Sequence, residues 1–315
     1  MKLDFFAVMF NLISLFVLIG VGYAAVRTGV LSDKVSGAFS ALLLKITLPC
    51  TIFISLVQRD YNSEFLNDSI IIFVTGLIFF IISLYLCRYI AAFLGVPKNT
   101  RGIWSFVCTF SNSGFMGFPI ALKLFGSEGL ALAVMLNISF NIVIYTLGAI
   151  EISRDNPNHN AEKIDITSII FSNINIATVL SLIFYFGQIK LPESFATPIT
   201  YLSNITTPLS MIIIGMALTR SKGLEIFSDK YAWECTAIRL IIIPLVLILL
   251  FKFFPLSSNP LVSAVFVVIM AMPVASVTAA LCEMYKSDMK FTAEVMFIQN
   301  LLCIITIPLM CSLLA

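Results

Sequence analysis

The chain has 315 residues, of which 59% are hydrophobic and 11% charged, with a formal net charge of +2. No soluble core absorbs that much apolar surface, so the composition fits an all-α polytopic membrane protein. The small charge excess, spread without a basic run, gives nucleic acid nothing to bind.

A spanning helix needs about 20 mainly apolar residues. Runs of that kind fall at roughly 5–26, 36–57, 69–94, 102–124, 128–150, 167–187, 196–219, 231–253, 260–284 and 290–314, ten in all. The first is too long for a signal h-region and no A-x-A site follows it, so it is expected to remain as a spanning helix. The cysteines lie in apolar runs without CxxC or CxxH spacing, which argues against disulfides and a metal site. The single histidine, His159, sits in the polar stretch RDNPNHNAEK and is expected to be solvated.

That polar stretch marks a connecting loop at 151–166, expected on the cytoplasmic side, between two halves of five spans each, 1–150 and 167–315. An odd number of spans per half turns the second half upside down relative to the first, the inverted repeat of many carriers. Ile46-Thr47-Leu48-Pro49 in span 2 matches Ile205-Thr206-Thr207-Pro208 in span 7. Phe118-Pro119-Ile120 in span 4 likewise matches Met272-Pro273-Val274 in span 9, at nearly the same offset. Basic residues concentrate in alternate loops, as in Arg88, Lys98 and Arg101 or Arg220, Lys222 and Lys230. By the positive-inside rule both termini are expected outside the cytoplasm.

Span 4 reads TFSNSGFMGFPI, with Ser111, Asn112, Ser113 and two glycines ahead of Pro119. One reading is a proline kink healed by neighbouring hydroxyls. The other is a broken helix, tolerated in hydrocarbon only where protein or a watered cavity covers it. Two breaks at matching places in inverted halves would meet near the midplane. Each second half-helix is then expected to start at its proline, Pro119 or Pro273, presenting free amides and a partial positive charge. Ser111, Asn112, Ser113, Ser276 and Thr278 would supply neutral donors beside that anion site. Lys45 and Arg239 are basic residues within spans, either structural or drawing an anion from the cytoplasmic side. Asn137, Asn141, Gln299 and Asn300 lie near mid-depth of spans 5 and 10, as interhelical hydrogen-bonding groups or as cavity lining. No aspartate lies deep in a span, which disfavours a cation antiporter, and no nucleophile–base pair suggests an enzyme.

The segments IGVGYAAVRTGVLSDKVSGAFSALLLKITLPCTIF at 19–53, TFSNSGFMGFPIAL at 109–122 and MAMPVASVTAAL at 270–281 together resemble the auxin efflux carrier family. That family includes bacterial permeases for small carboxylates. The resemblance implies ten helices in two inverted five-helix repeats with crossing broken helices, similar to sodium/proton antiporters and bile-acid symporters. It also implies a scaffold domain and an elevator-like transport domain. Asn112 resembles the asparagine that contacts the substrate carboxylate, and Pro119 and Pro273 the crossover prolines. FIQNLLCIITIPL in span 10 departs from the expected Thr/Ser-rich pattern. The short central loop argues against auxin itself.

The expectation is a secondary carrier for a small mono- or dicarboxylate such as malate, malonate or lactate, multi-pass in a bacterial inner membrane. It needs no cofactor and has a proton or sodium as possible coupling ion; a homodimer is possible. A sodium-coupled organic anion symporter is the alternative within the class, and a non-transporting membrane receptor the alternative outside it.

Overall fold

A computed structural model describes residues 5–32, 35–60, 62–156, 173–219 and 229–314. His159 and residues 157–166 of the 151–166 loop lie outside them. The elements are α1 (Phe5–Arg27), α2 (Val35–Val57), α3 (Ser63–Phe93), α4 (Arg101–Thr109), α5 (Ser113–Ser153) and α6 (Asn173–Gly187). They continue with α7 (Glu193–Leu218), α8 (Lys230–Phe253), α9 (Pro260–Met270), α10 (Thr278–Met284) and α11 (Met289–Leu313). Among the described residues six helices (α2, α3, α5, α7, α8 and α11) are long and apolar enough to cross a membrane. Ile13–Arg27, Asn173–Gly187 and Pro260–Met270 are shorter apolar stretches. The chain is therefore a helical, multi-pass membrane protein.

Asparagine and aspartate start several of these helices, accepting an otherwise orphaned first-turn amide. Asn62 accepts from the Glu64 amide at 2.8 Å, Asp229 from Tyr231 at 2.8 Å, Asn259 from Leu261 at 3.1 Å and Asp288 from Phe291 at 3.0 Å. Three of the four π turns among the described residues stand just ahead of a proline. They are Leu43–Thr47 before Pro49, Ser113–Gly117 before Pro119 and Ile238–Ile242 before Pro244. Proline lacks the amide its helix needs and its ring crowds the preceding turn; widening that turn relieves the crowding. The same three turns carry or adjoin Lys45, Asn112 and Arg239.

The helices pack in two groups. One comprises α1, α2, α6 and α7, with α1 lying along α7 and α2 wedged between α6 and α7. The other comprises α3, α4, α5 and α8–α11, built on a large apolar cluster that includes Phe80, Trp104, Phe106, Phe110 and Phe266. The groups meet chiefly where α2 touches α5 and α1 touches α11. Exposed apolar side chains such as Ile82, Phe93, Leu249 and Phe253 remain for lipid.

Two expected helix boundaries shift. Span 4 is interrupted between Thr109 and Ser113, and α5 runs on through span 5 with a turn at Gly126, whose φ of 68° and ψ of −161° suit glycine. The half-helices also do not start at their prolines. α5 starts six residues ahead of Pro119, which sits in the first turn of the regular helix after the π turn. α10 starts at Thr278, with Pro273 in the non-helical stretch before it.

Candidate functional site

The chain leaves the helix at Phe110, whose φ of −98° and ψ of 114° are extended. Its ring is held in place by stacking on Phe80 at 5.8 Å, by Phe106 at 4.6 Å and by the edge of Phe140 at 5.7 Å. A second interruption follows α9, and the two unwound stretches cross as an antiparallel bridge between Ser111 and Val274. The Asn112 amide donates to the Pro273 carbonyl at 2.7 Å, and the Ala275 amide to the Phe110 carbonyl at 3.0 Å. Each broken helix thus supplies partners to the other, as backbone away from water demands.

Side chains complete the satisfaction. Gln299, fully buried on α11, accepts from the Val274 amide at 2.9 Å. Arg239, fully buried on α8, donates Nε to the Met272 carbonyl at 3.1 Å. Its Nη1 donates to the carbonyls of Cys108 at 3.2 Å and Thr109 at 3.0 Å.

Asn112 links the two breaks through its side chain. Its Oδ1 caps α5 by accepting from the Phe115 amide at 3.2 Å, and its Nδ2 donates to Ser276 Oγ at 2.9 Å. Ser113 Oγ donates to Asn137 Oδ1 at 2.7 Å, tying the start of α5 to its own later turns. Ser276, Gly114, Phe115 and Val277 are only half-buried, and a side chain added at Gly114 would meet no atom within 4 Å. The crossing therefore has an accessible face at Gly114 and Ser276, next to the start of a helix, with the buried Asn112 just beneath it.

A family model described as membrane transport protein matches residues 7–311. The chain belongs to this family, that of the auxin efflux carriers. The carrier is 27% identical to an uncharacterized transporter of Methanocaldococcus jannaschii over 93% of this chain and 94% of the relative. An uncharacterized transporter of Methanothermobacter thermautotrophicus is 26% identical over 95% of this chain and 96% of its own. YfdV of Escherichia coli, also an uncharacterized transporter, is 22% identical over 76% of each. The protein is a membrane transporter and not an enzyme.

The crossing of the carrier gathers Ser111, Asn112, Ser113, Asn137, Pro273, Ser276, Thr278, Arg239 and Gln299. Within it Ser111 and Thr278 are fully buried, with hydroxyls that have no partner. Pro119 is buried in the first turn of the regular helix after the π turn. Other expected site residues sit apart. Lys45 is exposed, and its carbonyl accepts from Asn173 at 2.8 Å. Asn141 donates to Asn175 at 3.2 Å, joining α5 to α6. Asn300 turns back on its own helix, donating to the Met296 carbonyl at 2.7 Å.

A polar clamp at the far end of α4 escaped sequence reasoning. The Asp155 carboxylate accepts from the amides of Gly102 at 2.6 Å and Ile103 at 2.8 Å, and from Ser287 Oγ at 2.6 Å. Burial pushes its carboxyl above the usual range, against those hydrogen bonds. Beside it, the buried Glu151 pairs with Arg88 and, at 2.6 Å, with Arg154. In the sequence these residues appear only as two acids, Glu151 and Asp155, on either side of Arg154 at the end of span 5.

Proposed function

We propose that the carrier moves a small organic anion, a mono- or dicarboxylate, by elevator-like alternating access. In this reading residues 1–150 and 167–315 are inverted five-span repeats joined by a cytoplasmic loop at 151–166. Both termini face away from the cytoplasm of a bacterial inner membrane. α1, α2, α6 and α7 form the scaffold and the remaining helices the moving body, a division supported by the two packing groups.

The observation that carries the reading is the placement of Asn112. Its amide side chain bridges both broken segments at the rim of the open space by Gly114, where the first turn of α5 adds positive potential. A carboxylate there accepts hydrogen bonds from Asn112 and Ser276 and meets no negative side chain among the described residues of the crossing. Substrate that binds at the crossing moves with the whole second group of helices.

Uptake of labelled malate, malonate and lactate into proteoliposomes tests this, comparing wild type with Asn112→Ala and Asn112→Asp. An aspartate keeps the cap on the Phe115 amide but sets a like charge within about 4 Å of the substrate. At an effective dielectric near 20 that repulsion is about 4 kcal/mol, roughly a thousandfold in affinity. Asn112→Asp is expected to melt near the wild-type temperature and to lose uptake. Asn112→Ala also loses uptake, at a stability cost of about 1–2 kcal/mol for the missing cap. Wild-type uptake by a folded Asn112→Asp carrier refutes the site.

A further inference from the structure

Among the described residues Arg239 is the largest polar side chain that is fully buried. Its three hydrogen bonds all run to backbone carbonyls. Cys108 and Thr109 close the C-terminal end of α4, and Met272 lies two residues past the end of α9. Both half-helices therefore direct their carbonyl ends at one guanidinium, and among the described residues no carboxylate pairs with it. Each helix C-terminus carries about half a negative charge, so two together come to about one, which a single guanidinium balances.

Carbonyls at the ends of interrupted helices are the ligands that ion-coupled carriers use to hold their coupling cation. Here those ligands are taken by a side chain. We infer that Arg239 is a resident cation occupying the place of a coupling metal ion, so that this carrier binds and moves its anion without sodium. The inference rests on the anion-carrier reading for what is moved, but on the carbonyl geometry alone for the cation. A sodium ion about 4 Å from the fixed guanidinium would be disfavoured by roughly a thousandfold at an effective dielectric near 20. Arg239 is thus a positioning residue: it holds the two carbonyl ends together, and the donor groups on the other side of the crossing depend on that alignment. The partnerless hydroxyls of Ser111 and Thr278 and the spare Nη2 of Arg239 leave polar capacity that buried water can satisfy.

The test measures thermal unfolding of the purified full chain at constant ionic strength in sodium, lithium, potassium or choline chloride. Wild type is expected to melt at one temperature in all four. Arg239→Ala leaves three unpaired carbonyls and melts lower in choline, and sodium restores part of the loss because a small cation fits among them. Arg239→Lys keeps the charge and shows no sodium response. A merely structural arginine predicts destabilisation without any cation-specific recovery, so a folded Arg239→Ala protein that sodium does not stabilise overturns the inference. Stabilisation of the wild type by sodium over choline overturns it too. If Arg239→Ala cannot be purified, Arg239→Gln, which removes the charge but keeps a donor for the carbonyls, takes its place in the same comparison. Failure of carboxylate uptake in every salt would instead remove the anion-carrier reading and leave the cation comparison standing.

Discussion

Replacing Gly215 by alanine tests how closely α1 and α7 are joined. A Cβ built at Gly215 lies 1.9 Å from the Ile19 carbonyl oxygen and 2.8 Å from the Tyr23 amide nitrogen. On the facing helix a Cβ at Gly22 lies 2.2 Å from the Ile212 carbonyl oxygen. Both obstacles are backbone, so no rotamer change relieves them, and the helices must part by more than about 1 Å. Small residues permit such close approach between membrane helices, and dispersion across the seam is the main attraction there. Parting it costs about 2–3 kcal/mol, the upper range for overpacking. Gly20, on the same helix as Gly22, is the control, since a Cβ there meets nothing within 4 Å. Side-by-side thermal unfolding in detergent should show Gly215→Ala melting well below wild type and Gly20→Ala level with it or slightly above. Gly22→Ala combined with Gly215→Ala should cost less than the two separately, because either change opens the same seam. Equal melting temperatures for the two single alanines would refute the reasoning.

Two further outcomes concern the clamp at the start of α4. A Cβ at Gly102 would lie 2.1 Å from the Glu151 carbonyl oxygen, so Gly102→Ala should lower stability by about 1–3 kcal/mol in the same assay. Asp155 has a folded-state pKa raised above 3.8 by burial, so what it adds to stability is fullest with the carboxyl protonated and shrinks as pH climbs through the raised value. The melting-temperature margin of wild type over Asp155→Asn should therefore be widest near about pH 4 and narrow toward about pH 7; a margin that widens with pH contradicts this.

The sequence was readable where chemistry is local. Apolar runs marked the membrane class, and the hydroxyls, asparagine and glycine of TFSNSG marked the interruption of span 4. The place where each half-helix restarts was not readable from its proline. Pro119 lacks only its own amide, a loss the preceding π turn absorbs, whereas the true break falls where Asn112 can cap new amides. Arg239 was visible as a charge in an apolar run, but its partners at Cys108 and Thr109 are supplied by a helix about 130 residues earlier in the chain. Gln299 is similar: only the fold brings it to the bare amide of Val274. Lys45 looked like Arg239 on paper and came out exposed, because a long stem on a helix at the edge of a bundle can leave the interior.

Beside the side-chain links of Asn112 and Arg239, two bonds of the joint between the interrupted segments are made from main chain. The bonds from Asn112 to Pro273 and from Ala275 to Phe110 use peptide groups alone, so they survive any exchange of side chains that keeps the backbone path. If the rim holds the substrate as proposed, cargo preference and mechanical integrity are therefore written in separate alphabets at one spot. Evolution is free to redecorate the rim for a different passenger while the lattice that carries it stays whole.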